Sequence, residues 1–131
     1  MKIAAHFLIC AATSLALLST LKVFTLSVGK NQIKEIKVLE KVTKIWTLDL
    51  NDNQIEDISP LAKQTELNLL MIERNRIKDL KPLVDAAQAD AAGAKQFAPY
   101  LRVYLKGNPL SDAAKSAQLA ALKAAQVRIE S

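Results

Sequence analysis

The strongest constraint on the fold is a spacing that returns every 22 residues. In Ile45–Leu61, IWTLDLNDNQIEDISPL, apolar residues stand at Ile45, Leu48, Leu50, Ile55, Ile58 and Leu61, with Asn53 between the second pair and the third. A helix repeats near 3.6 residues and a half-buried strand near 2, so neither element alone produces it. The same spacing occurs upstream at Val23, Leu26, Val28, Asn31, Ile33, Ile36 and Leu39, and downstream at Leu67, Leu70, Ile72, Asn75, Ile77, Leu80 and Leu83. Three copies in register predict a solenoid, in which each coil buries its apolar face only by stacking on its neighbours.

Half of the 131 residues are hydrophobic, enough for a shared core and too few for a second domain. The net charge of +5 is unevenly distributed. Lys22, Lys30, Lys34, Lys37, Lys41 and Lys44 outnumber Glu35 and Glu40 in the first repeat, whereas Ile45–Leu83 carries five basic against seven acidic residues. That is not the continuous basic stripe that follows a phosphate backbone, and no nucleic-acid partner is expected. The single cysteine, Cys10, and the single histidine, His6, both lie in an apolar leader. The body of the chain therefore has no residues for a disulfide framework, a Cys/His metal site or a histidine-dependent triad, and no cofactor is expected.

Residues 1–21 run from Lys2 through an almost unbroken apolar stretch, Ile3–Leu21. They suit a signal peptide, with Ser14-Leu15-Ala16 as an imperfect small-x-small cleavage site. As a helix, at about 1.5 Å per residue, the stretch would also span a bilayer and anchor the chain. A third option is structural, with Ser14–Leu21 forming half of a degenerate earlier repeat that covers the open end. Residues 22–131 form the repeat domain. Its period slips after Asn75, because the next asparagine in the series, Asn108, lies 33 residues on. The extra length falls in the alanine-rich VDAAQADAAGAKQFAP, read as a long helix that ends by Pro99. Tyr100, Val103, Leu105 and Asn108 then restore the strand spacing. Ser111 is a candidate N-cap for a closing helix with Ala114, Ala117, Ala121, Leu122 and Ala125 on one face, and Val127 and Ile129 suit a last edge strand.

Each L-x-x-L-x-L stretch predicts one short strand, stacked in parallel on the next at about 4.8 Å. Where the chain then turns away, backbone groups lose their partners. An amide side chain can donate and accept there, which makes Asn31, Asn53, Asn75 and Asn108 a structural ladder. Residues between the inward ones face outward: Thr25, Ser27, Gly29 and Lys30; Thr47, Asp49, Asn51 and Asp52; Leu69, Met71, Glu73 and Arg74; Arg102, Tyr104, Lys106 and Gly107. Among these, Leu69, Met71 and Tyr104 form an apolar centre edged by Asp49, Glu73 and Arg102, the composition of an interface hot spot. These six are the expected partner-binding residues. Trp46, one place outside the ladder, is expected to pack at a repeat junction.

The pattern L-x-x-L-x-L-x-x-N-x-I-x-D-I-x-P-L resembles the 22-residue class of leucine-rich repeats, as in secreted bacterial internalin-like proteins. Leu105–Lys115 resembles their terminal repeat and cap. The resemblance implies an α/β solenoid of about four repeats, with parallel concave strands and a C-terminal capping helix. It also implies protein binding through the concave face without catalysis. With the leader, this predicts an exported binding module of the secreted or cell-envelope kind, touching membrane only through the N-terminal segment. The alternatives are a cytoplasmic regulatory or adaptor subunit, or the remnant of a longer array. The neighbouring carboxylates Asp49, Asp52 and Glu73 come with no nucleophile or electrophile, so an enzyme is not expected.

Overall fold

The computed structural model describes residues 4–6, 25–42, 45–95 and 97–130. Six short strands form one parallel sheet in chain order: β1 (Ala4–His6), β2 (Thr25–Ser27), β3 (Thr47–Asp49), β4 (Leu69–Met71), β5 (Arg102–Tyr104) and β6 (Arg128–Glu130). Leu26, Leu48, Leu70, Val103 and Ile129 are register partners along the inner face. Sequential parallel strands need crossovers, and from β2 to β5 each crossover is the remainder of one coil. The fold is thus a stack of coils around one core, an α/β solenoid.

Each coil feeds that core at fixed places. Leu26, Leu48, Leu70 and Val103 fill it from the strand centres, followed by Val28, Leu50, Ile72 and Leu105 at the strand exits. Ile33, Ile55 and Ile77 lie on the turn, and Leu39, Leu61 and Leu83 on the convex side. All are buried. Gln64 takes the place held one coil earlier by Val42, yet it is just as buried, because its amide donates to the carbonyls of Leu39 and Val42.

The convex side changes along the stack. The first two coils cross it in 3-10 turns, Lys37–Glu40 and Ser59–Lys63, the second with Pro60 in its first turn. Val38, which replaces that proline in the first coil, leaves the turn intact. The third coil uses α1 (Lys81–Ala92), which accounts for the slipped period. This helix ends at Ala92, with Gly93 as its C-cap, short of Pro99, to which it was expected to run. The Asp90 carboxylate then accepts from the backbone N–H groups of Phe97 and Ala98, at 3.0 and 2.8 Å, and ties down the return.

One inward assignment is corrected there. Tyr100 is 65 % exposed, and the buried groups are Phe97, Ala98 and Leu101. Tyr100 and Leu101 donate to Phe97 O, so this stretch is a tight turn and not an extended approach. Residues i and i+4 of such a turn share a face, which puts 97 and 101 inside and swings 100 out. Trp46 is 44 % exposed, and its carbonyl accepts from Asn68 and Leu69 of the next coil.

The closing cap starts at Ser111, whose Oγ accepts from Ala114 N at 3.2 Å. A π segment (Ala114–Gln118) precedes α2 (Leu119–Ala124). The extra residue in the wider turn shifts the helical phase. Ala117, expected inside, is therefore exposed, while Gln118 swings in: its Oε1 accepts from Leu80 N at 2.7 Å and its Nε2 donates to Asp79 at 2.6 Å. β6 follows and pairs with β5. Among the described residues no helix is long and apolar enough to cross a membrane. Apart from β1, the 1–21 leader, including Ser14-Leu15-Ala16 and the Ser14–Leu21 half-repeat, lies outside the described residues.

Candidate functional site: the concave sheet face

Strand register decides what the outer face presents. One row across the strands reads Thr25, Thr47, Leu69, Arg102, Arg128, and the next reads Ser27, Asp49, Met71, Tyr104, Glu130. Leu69 and Met71 therefore sit at the centre, with Asp49 beside Met71 on one neighbouring strand and Tyr104 on the other. Arg102 is exposed; Asp49, Leu69, Met71, Glu73 and Tyr104 are half-buried. Of the six expected contact residues, five lie on strands and Glu73 lies just past β4. The strand β6 was read only as an edge cover, so its contribution to the face, Arg128 and Glu130, went unrecognised. Six strands of three residues, at about 4.8 Å between strands and about 3.3 Å per residue, present roughly 285 Å², well below the ~800 Å² per partner of a standard interface.

The strands leave the sheet through a left-handed turn that recurs with the period. Lys30, Asp52, Arg74 and Gly107, each just before a ladder asparagine, have φ of 57, 58, 53 and 83°. For the three non-glycine residues such a backbone costs about 1–2 kcal/mol. The asparagine closes the turn. Asn53 Nδ2 donates to Leu50 O and Asn51 O within its own coil and to Val28 O of the previous one, at 3.0, 3.2 and 3.1 Å, while its Oδ1 accepts from Ile33 N at 3.1 Å. Asn75 repeats this with Ile72, Glu73, Leu50 and Ile55. Asn108 donates to Ile72 O and Leu105 O at 2.8 Å, and Asn31 to Val28 O and Gly29 O. At position 107 a β-carbon would come within 2.8 Å of Arg74 Cγ, so space as well as φ calls for glycine.

On the rim beside β3 and β4, Asp52, Glu73 and Arg74 are committed to one another. Arg74 grips Asp52 with two hydrogen bonds, Nε–Oδ1 at 2.6 Å and Nη2–Oδ2 at 3.0 Å. That hydrogen bonding holds the Asp52 carboxyl below the usual aspartate range, helped by the charges of Arg74 and Lys30, and raises Arg74 in turn. Asp49 accepts from Asn51 N at 3.0 Å and from Ser27 Oγ at 3.3 Å. Glu73 lies 3.9 Å from Arg74 Nη1. A shallow depression of about 310 Å³ opens here, lined by Ser27, Gly29, Lys30, Asp49, Asn51, Asp52 and Arg74. The three carboxylates do not converge, and no group of three potential metal ligands occurs among the described residues.

Comparison with known proteins agrees with this geometry. The family of Leucine Rich repeats (2 copies) matches residues 19–63. Internalin C2 of Listeria monocytogenes superposes with a TM-score of 0.71 at 30 % identity, over 99 % of this chain and 51 % of that one. A second Listeria monocytogenes internalin gives 0.56 at 24 % identity over 92 % of this chain and 40 % of its own, a likeness of fold alone. A Leptospira interrogans leucine-rich repeat protein gives 0.59 at 17 % identity, over 99 % and 35 %, again a likeness of fold. This chain thus spans about half the length of the internalin C2 structure. No curated protein matches it.

Proposed function

We infer that this chain, a leucine-rich repeat protein similar to the internalins, is an exported module that binds a protein partner through its concave sheet face. Leucine-rich repeat domains are in general protein-interaction modules. The observation that carries the reading here is the row-by-row placement of Leu69 and Met71 beside Tyr104, Asp49 and Arg102. An apolar centre with aromatic and charged neighbours is how binding energy is concentrated. The area is small, so tight binding also recruits the adjoining rim or several copies. Export is supported by the apolar leader and by the internalin likeness. Binding rather than catalysis is supported by carboxylates already engaged with Arg74, Ser27 and backbone N–H groups.

The reading is tested by affinity capture with Leu69, Met71 and Tyr104 changed to Ser. The unaltered chain retains a partner that the triple variant loses; equal retention moves the site elsewhere. β1 favours a second reading of the leader, because Ala4–His6 pairs with Thr25–Ser27 as a strand of the sheet. In that reading the N-terminal segment is retained as the first coil. N-terminal sequencing of the mature protein separates the two: a start beyond residue 6 supports export with cleavage, and an intact Met1 supports retention.

A further inference from the structure

We propose that the β4–β6 end of the concave face binds an acidic segment of a protein partner, with one carboxylate seated between Arg102 and Arg128 and an apolar neighbour on Leu69 and Met71. The proposal rests on the concave-face reading and narrows its partner chemistry. Arg102 and Arg128 are direct register partners on adjacent parallel strands, about 4.8 Å apart, and both are exposed. Like charges opposite each other across a strand pair are destabilising. No ion pair among the described residues relieves this: those present use Glu40, Asp52, Glu73 and Asp85, and none reaches either arginine. An incoming carboxylate relieves it, because guanidinium groups match carboxylate geometry in two-point hydrogen bonds.

The cation pair also continues the apolar strip. Leu69 is the register partner of Arg102, and Met71 that of Tyr104. Glu130 lies two residues beyond Arg128, roughly 6.6 Å along the strand, and faces outward beside Tyr104. It penalises a segment that is acidic throughout, so the face selects a single acid next to apolar residues over a polyanion.

The test is selection of a phage-displayed random peptide library on the intact chain at 150 mM salt. Peptides with Asp or Glu next to Leu, Ile, Met or Phe should be enriched. The double variant Arg102→Glu, Arg128→Glu should bind them about tenfold or more weakly and should select Lys or Arg at the acid position. Enriched peptides that show no acid preference, or whose binding survives the charge reversal, overturn the proposal. If such peptides are nevertheless lost in Leu69→Ser, Met71→Ser, the concave-face reading stands without it. Failure to enrich any peptide overturns both. A single-stranded oligonucleotide that binds with steep salt dependence, and indifferently to Leu69→Ser, Met71→Ser, would replace the protein partner by nucleic acid. Arg128→Gln in the free chain should leave the thermal midpoint unchanged or higher; a lower midpoint would show that the arginines are already compensated.

Discussion

The first coils and the last ones solve one problem in two ways. From Val28 to Leu83 each coil repeats its predecessor, and the same asparagine satisfies the same backbone groups in itself and its neighbour. From Val84 onward the strand and the Asn108 step of the ladder persist, but the rest of the coil is held by one-off contacts. Asp90 holds the return from α1, Ser111 caps the closing helix, and Gln118 reaches back to Asp79 and Leu80. A regular stack can propagate a single residue's hydrogen-bonding pattern. Its end has no next coil and must satisfy the same orphan groups with unique side chains.

The sharpest contrast lies in the return turn. Leu101→Ala, in the irregular region, should lower stability by about 3 kcal/mol, as expected for a buried leucine, while Tyr100→Ala beside it should change stability by less than about 0.5 kcal/mol. Urea unfolding midpoints of the two variants decide whether the turn or an extended strand approach is right. Equal effects would restore Tyr100 to the core. Next in size, Asn75→Ala removes an amide that is 6 % exposed and serves four backbone groups, and should cost about 2–3 kcal/mol. Asn31→Ala, whose amide bonds only within its own coil among the described residues, should cost less. Equal losses would mean that bonding between coils adds nothing.

Gln118→Ala isolates the cap. It leaves Leu80 N without its acceptor at the start of α1, and about 1 kcal/mol is expected in the same measurement. The smallest effect is pH-dependent. Asp79 is held below the ordinary aspartate value of 3.8, first by the Lys81 N–H and then by Gln118. A carboxyl with a depressed folded value stabilises above the unfolded value and loses that contribution as pH falls through the folded one. The wild-type urea midpoint should therefore decline below pH 3.8, and the decline should be shallower in Gln118→Ala. An unchanged slope would show that the glutamine does not affect the carboxylate. Asp52→Asn should flatten the same decline, because the carboxyl whose protonation weakens the Arg74 contact is gone.

The strands Thr25–Ser27, Thr47–Asp49 and Leu69–Met71 could be read from the sequence, because a 22-residue coil shows the same inward strip each time and three copies exclude any other phase. The outward residues followed by alternation. Tyr100 and Ala117 were misplaced, since periodicity does not reveal a tight turn at Phe97–Leu101 or a π segment that shifts phase. Gln118 gave no signal that it would cap a distant element. The left-handed residues had only Gly107 as a cue, and lysine, aspartate and arginine at the equivalent places hid it.

The sequence alone determined the coil: its period, its inward leucines and isoleucines and its asparagines, because these act locally and repeat. Only the tertiary structure decided which side chains become neighbours across coils. Arg102 lies 26 residues from Arg128, and Asp79 lies 39 from Gln118. Strand register and the path of the last, irregular coil bring them together, and neither is encoded in any single stretch of chain.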